Sequence, residues 1–227
     1  MPVQIDQAKA KKAFKALYKH EAENAGQEEA IWLMVNTFNK MTLTKGRPTR
    51  IVLKHGCQIP GVHRCLITKK DQQKYKDLIK EKNIRGVHKV LDLKHLKKKY
   101  PTPDSKQQLI QDFDMLMAEK SIITDLEPIP IELFKPDLQK EILRTAKSTY
   151  MNFHTGNSHA IRIATTAQDA TIAFENFMSA YEKIIAVIPG GEDNIRSFQI
   201  KTNNSTSLPV YDAKTDYVDE YKSDEEL

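Results

Sequence analysis

Residues 62–124 read VHRCLITKKDQQKYKDLIKEKNIRGVHKVLDLKHLKKKYPTPDSKQQLIQDFDMLMAEKSIIT, and the order of patterns in this stretch decides the fold class. Val62–Ile67 is an apolar, β-prone run. Asp71–Lys82 places Tyr75, Leu78 and Ile79 on one face of a helix. Val87–Leu93 is a second strand, and a lysine-rich helical piece, Lys94–Tyr100, follows it. Pro103-Asp104 then opens a helix expected to run to about Lys120, with Leu109, Phe113 and Leu116 inward and Asp104 as its N-cap. Ser121–Thr124 reads as the third strand. Strands that alternate with helices in this way form a parallel sheet covered on its faces.

The flanks differ in character. Upstream, Ile5–Asn24 is helical, with Ala10, Ala13, Phe14, Leu17 and Tyr18 in one stripe and Lys11, Lys12, Lys15 and Lys19 largely outside it. Ala30–Phe38 is a short apolar run, read as a buried strand. Lys45-Gly46-Arg47-Pro48 makes a turn, and Thr49–Lys54 alternates as a strand does. Downstream, Leu126–Pro136 holds three prolines and reads as a linker or an edge strand. Asp137–Arg144 suits a short helix. Tyr150–Phe153 and His159–Ile163 are strands around a turn at Gly156-Asn157. Gln168–Ile188 is a long helix ended by Pro189-Gly190-Gly191. Asn194–Thr202 is read as the last strand.

The chain has 227 residues, with 35 Lys and Arg against 30 Asp and Glu, a net charge of +5 and 40% hydrophobic residues. This apolar content excludes wholesale disorder. Charge is uneven: residues 212–227 hold seven acids and two lysines, a net of −5, so residues 1–211 carry +10. A basic body with an acidic tail suits a polyanion partner, nucleic acid first, although an ordinary basic protein has the same balance. No apolar run approaches the roughly 20 residues that cross a bilayer, and the N-terminus lacks a signal-peptide core, so neither membrane insertion nor secretion by such a signal is expected.

Motifs for catalysis are absent. There is no phosphate-cradling P-loop, no dinucleotide fingerprint, no nucleophile elbow and no zinc-protease helix. His55, Cys57, His63 and Cys65 form an H-x-C…H-x-C set that a hairpin could bring to zinc, but the spacing is unlike the usual knuckles, and packed or surface residues are expected instead. Asp112 and Asp114 point to different helix faces. No enzyme activity, no cofactor, no metal and no small-molecule substrate are expected.

Three basic or polar clusters are candidates for binding. One is Lys40, Lys45, Arg47 and Arg50. The second, Lys94, Lys97, Lys98 and Lys99, has the makings of a solvated helix face. The third, Lys201-Thr202-Asn203-Asn204-Ser205-Thr206-Ser207, concentrates a lysine, hydroxyls and amides at a strand end, where they suit either phosphate and ribose groups or a plain polar loop. Interleaved aromatics are scarce, so base stacking is not indicated.

The ending FQIKTNNSTSLPVYD resembles that of nucleolar ribosome-biogenesis proteins built on the ribosomal protein L-one fold. So do AIWLMVNTFNK, CLITKKDQQKYKDLIKEKNI with VHKVLDLKHLKKKY, QDFDMLMAEKSI, AIRIATTAQ and IPGGEDNIRSFQIKT, in that order from roughly Ile5 to Tyr211. The resemblance implies a two-domain α/β fold. A discontinuous RNA-binding domain would comprise 1–61 plus 127–211, with a Rossmann-like parallel-sheet domain inserted at 62–126 and an acidic tail at 212–227. It further implies a non-enzymatic scaffold in the nucleolus whose partners are ribosomal RNA precursors and other assembly proteins. The NNSTSLPVY ending is most like the branch found with small-subunit precursors; a sister branch acts on large-subunit precursors, and a protein–protein scaffold module is a further alternative. Lys40, Arg50, Arg162 and Lys201 would engage phosphates, with Thr202, Asn203, Ser205, Thr206 and Ser207 supplying shorter hydrogen bonds. Two departures stand out. Gln27-Glu28-Glu29-Ala30 lacks the aromatic and threonine of the ribosomal protein's aromatic-x-Glu-Thr pattern. Thr206-Ser207-Leu208 lacks the glycine of its Thr-Met-Gly. Both favour an assembly-factor relative over the mature ribosomal protein. The inserted domain is also short after its last strand.

Overall fold

The computed structural model describes residues 3–23, 28–41, 49–57, 63–122, 129–133, 137–151 and 155–213. The turn at 45–48 and most of the acidic tail, 214–227, lie outside the described residues.

Strand β1 (Ala30–Met41) buries every second residue from Ile31 to Thr37. It is therefore a half-buried strand with two distinct faces, not the wholly buried run its apolar composition suggests. It lies between β8 (Gly156–Thr165) and β9 (Ile195–Lys201), antiparallel to both. A strand absent from the sequence expectations, β10 (Leu208–Asp212), pairs antiparallel with the far edge of β9. The sheet order is β10-β9-β1-β8, so a strand from the first part of the chain sits among strands from the last part.

One face of this sheet is covered by α1 (Gln7–Glu23) and α6 (Ala170–Val187). Phe14 meets Phe174 and Phe177 at centroid distances of 6.1 and 5.9 Å, and Phe177 meets Phe198 of β9 edge-on at 6.1 Å. Such aromatic contacts add about 0.5–1.5 kcal/mol each beyond area burial. After α6 the chain turns at Gly190, with φ +86°, where an added Cβ would stand 3.0 Å from Asn194 Cβ. Only glycine fits there without displacing Asn194, whose side-chain oxygen accepts from Asn39 N at 2.8 Å. A two-stranded antiparallel ribbon, β2 (Thr49–Val52) with β7 (Ser148–Met151), places Ile51 and Met151 in the same core.

The second sheet is parallel, in the order β4-β3-β5-β6. Its elements are β3 (Arg64–Thr68), α2 (Gln72–Glu81), β4 (Lys89–Asp92), α3 (Leu93–Lys99), α4 (Pro103–Asp112), β5 (Met115–Glu119) and β6 (Ile129–Ile131). Two apolar clusters flank it. Leu66, Val90 and Met117 face Tyr75, Leu78 and Ile79 of α2 together with Leu138 and Ile142 of α5 (Leu138–Ala146). Cys65, Ile67 and Leu91 face Leu96 of α3 and Leu109 of α4.

The expected helix from Pro103 to Lys120 is really a helix and a strand. α4 ends at Asp112, Phe113 is extended, and every residue from Met115 to Glu119 is buried as the third strand. Asp114 fixes the register, its carboxylate accepting from His63 N at 2.8 Å while Met115 N donates to His63 O at 3.3 Å. The third strand is thus β5, not Ser121–Thr124. The N-cap of α4 is Thr102, not Asp104: Thr102 and Ser105 form a reciprocal capping box, and Asp104 lies in the first turn. Leu126–Pro136 contains an edge strand, β6, where Pro130 costs no ladder bond on the outer side. The expected boundary at 126/127 therefore cuts between β5 and β6, which pair in one sheet.

Cys57 and Cys65 are buried in different cores, so the H-x-C…H-x-C set is not assembled. Among the described residues no group of three or more His, Cys, Asp or Glu is placed to hold a metal ion, and no helix is long and apolar enough to cross a membrane.

Candidate nucleic-acid interface

The face of the antiparallel sheet opposite α1 and α6 presents Trp32, Met34 and Asn36 of β1, all half-buried between the fully buried Ile31, Leu33, Val35 and Thr37. Among the described residues no helix packs on this face. Trp32 is the register partner of Lys201 on β9 and of Arg162 on β8. Arg162 alternates with the buried Ile161 and Ile163, and Lys201 follows the buried Ile200, so all three side chains share the open face. The result is a cross-strand rung, Lys201–Trp32–Arg162: two cations beside an indole. The Trp32 indole N–H donates to Asn203 Oδ1 at 2.7 Å, and Arg162 Nε is buried without a hydrogen-bond partner. Paired cations with an aromatic on an open sheet suit a phosphate backbone and an unstacked base.

The polar segment after Lys201 is the turn between β9 and β10, and it is strongly self-organised. Thr202 is fully buried; its N–H donates to Ser205 Oγ at 2.9 Å, and its hydroxyl donates to Glu21 at 3.2 Å while accepting from Ser205 N at 3.1 Å. Glu29 accepts from Asn203 N at 3.1 Å and from Asn204 Nδ2 at 2.7 Å. The Asn204 amide, with the backbone N–H groups of Asn203 and Asn204, holds the Glu29 carboxyl below the usual glutamate range. Thr202 and Ser205 thus spend their hydrogen bonds within the turn and on Glu21 of α1, and Asn203 spends its side-chain carbonyl on Trp32. Thr206 and Ser207 are exposed.

The other expected residues lie elsewhere. Lys40 is exposed near the end of β1, eight residues and so roughly 26 Å along the strand from Trp32. Arg50 is not a free cation: on β2 it pairs with Glu141 of α5 at 2.6 Å, and both are largely buried. Glu141 and the Tyr150 side chain raise its pKa against the desolvation that lowers it. Lys45 and Arg47 lie outside the described residues. Lys94, Lys97 and Lys98 stand exposed on α3, and Lys99 reaches the ring of Tyr100, 5.6 Å from its centroid. Trp32 and Met34 were missed as surface residues because AIWLMVNTF carries apolar residues on both faces; only the two-sided pairing of β1 separates them.

Comparison with known proteins agrees with this architecture. The profile of the ribosomal protein L1p/L10e family matches residues 11–206. Two Schizosaccharomyces pombe proteins named as ribosome biogenesis proteins are each 27% identical, one over 93% of this chain and 81% of its own length, the other over 81% of this chain and 54% of its own. The Mus musculus ribosomal L1 domain-containing protein 1 is 23% identical over 71% of this chain and 40% of its own length. The chain thus spans about half or less of the latter two relatives. With a match that covers most of its residues and a mixed α/β fold of one antiparallel and one parallel sheet, this chain belongs to the ribosomal protein L1p/L10e family.

Proposed function

We propose that the chain is a non-enzymatic ribosome assembly factor that binds ribosomal RNA precursors through the open face of its antiparallel sheet. The observation that carries this reading is the Lys201–Trp32–Arg162 rung. Lysine and arginine capture phosphates at range, and the indole offers a stacking surface between them. Thr206, Ser207 and the Nδ2 hydrogens of Asn203 lie at the same end of the sheet and add short-range donors. Lys40 extends the positive edge at the other end. The NNSTSLPVY ending favours the small-subunit precursor in the nucleolus over the large-subunit pathway, and the named relatives favour ribosome biogenesis in general.

A second reading, a protein–protein scaffold with little RNA contact, draws on Glu29. Its carboxylate fills the donors at the head of the 202–207 turn that an RNA phosphate would otherwise take. Ultraviolet crosslinking of the native assembly separates the two. RNA adducts on Trp32 or Lys201 support the first reading; adducts confined to proteins support the second.

A further inference from the structure

The open face holds a depression at the opposite end of the sheet from the Lys201 rung. One rung of four register partners crosses it: Ser158 on β8, Asn36 on β1, Ser197 on β9 and Asp212 on β10. Arg196, Gln199, Thr37 and the 155–157 segment complete its lining. The next rung toward Lys201 includes the small Ala160 opposite Met34, which leaves the hollow room. Its floor is closed by Thr37, whose hydroxyl bonds the carbonyls of Asn39 and Asn157 at 2.8 and 3.3 Å.

Much of the polar capacity here is unspent. Asn36 Nδ2 donates to Ser197 Oγ at 2.9 Å, which leaves Asn36 Oδ1 as an acceptor and the Ser197 hydroxyl hydrogen as a donor. Among the described residues, the side chains of Gln199, Arg196 and Asp212 make no hydrogen bond or ion pair, although the Asp212 charge acts on neighbouring Tyr211. Phe38, the residue after Thr37, is 42% exposed, one of three large apolar side chains left so open among the described residues.

Resting on the RNA-binding reading above, we propose that this depression receives one unpaired nucleobase, guanine foremost. A phosphate is disfavoured because the Asp212 carboxylate stands at the rim. Amides that offer both donor and acceptor suit a base edge. A carboxylate accepts from bases that present N–H groups, and the Watson–Crick edge of guanine presents two such groups side by side. Arg196 lines the hollow and can donate to an acceptor of the base or to its own phosphate. Phe38 lies outside the lining, but it is exposed two residues along β1 from Asn36, and its ring is the nearest aromatic on that strand for a base that extends past the rim to stack on.

The test uses the full chain and a set of hairpin RNAs that differ only at one bulged position: guanosine, adenosine, cytidine, uridine or an abasic site. The guanosine hairpin is expected to bind about tenfold more tightly than the abasic one, the scale of one well-formed base contact. Asp212→Asn should remove the preference for guanosine, and Phe38→Ala should weaken all four base-bearing hairpins, while neither changes the abasic hairpin. Both residues are exposed, so the fold tolerates the changes. Equal binding of all five hairpins, or a guanosine preference that survives Asp212→Asn, overturns the nucleobase site and leaves the RNA-binding face standing. Failure of every hairpin to bind overturns both.

Discussion

Glu29, at the head of β1, accepts a hydrogen bond of 2.7 Å from the side-chain amide of Asn204, 175 residues later in the chain. With Asn203 N it ties the first strand to the β9–β10 turn, so the shape of that turn depends on a residue from the other part of the chain. The Glu29 backbone is fixed in turn: its N–H donates to Thr166 Oγ1 at 2.9 Å, and its carbonyl accepts from Thr166 N at 2.9 Å.

The pH response of this tie has a definite sign. A carboxyl whose pKa is lowered by folding contributes above the ordinary glutamate range and loses its contribution as pH falls through the lowered value. The Asn204 side-chain amide resonances should therefore shift, and the Asn203 and Asn204 backbone amides should exchange faster, only under acid conditions below that range. Glu29→Gln should abolish the acid transition at these amides while leaving the fold intact.

Arg50 and Glu141 form a largely buried pair between β2 and α5, two elements that pack into different sheets' cores. Removing one partner strands the other charge. Glu141→Gln or Arg50→Ala should lower unfolding stability by about 3 kcal/mol, read by denaturant titration, whereas replacing both together should cost less than the sum. Neither change should weaken RNA binding, because Arg50 is spent inside the protein. Loss of binding beyond the loss of fold would return Arg50 to the interface.

The two cysteines test the burial of both cores. Burial raises the thiol pKa of each, Cys65 to about 11, although Lys89 opposes the rise at Cys65 and Arg162 at Cys57. Alkylating reagents at neutral pH should label neither in the folded protein and both once it is unfolded. Rapid native labelling of Cys65 would mean that the parallel sheet opens between β3 and α3.

Met117 lies fully buried in β5 between two neighbouring strands. Met117→Ala should cost roughly 2–5 kcal/mol as a cavity in the parallel sheet. A helical assignment for this segment would expect a smaller, one-sided effect.

That segment shows where the sequence was legible and where it was not. Helices α1, α2 and α6 announced themselves by apolar stripes over several turns, and the parallel order of the inserted sheet followed from alternation of element types. Met115–Glu119 did not, because Leu109, Phe113 and Leu116 keep helical spacing while no glycine or proline marks the break at Phe113-Asp114. A short run buried on both faces has no period of its own, and only its place between β3 and β6 makes it a strand. β10 was hidden behind the polar turn and carries Pro209, which suits an edge. On the open face, Lys201 could be named from its polar cluster and Arg162 only after the family resemblance, but Trp32 could not be set between them without the register of β1. Arg50 looked free because its partner is 91 residues away.

Whether the Lys201–Trp32–Arg162 face grips RNA phosphates is read by titrating the full chain against structured precursor RNA over a range of salt. If about six phosphates are held, the log–log slope should lie near −4 to −5, and Lys201→Gln or Arg162→Gln should each reduce it by about one. A slope near zero, or one unchanged by both substitutions, would mean that this face does not hold RNA phosphates.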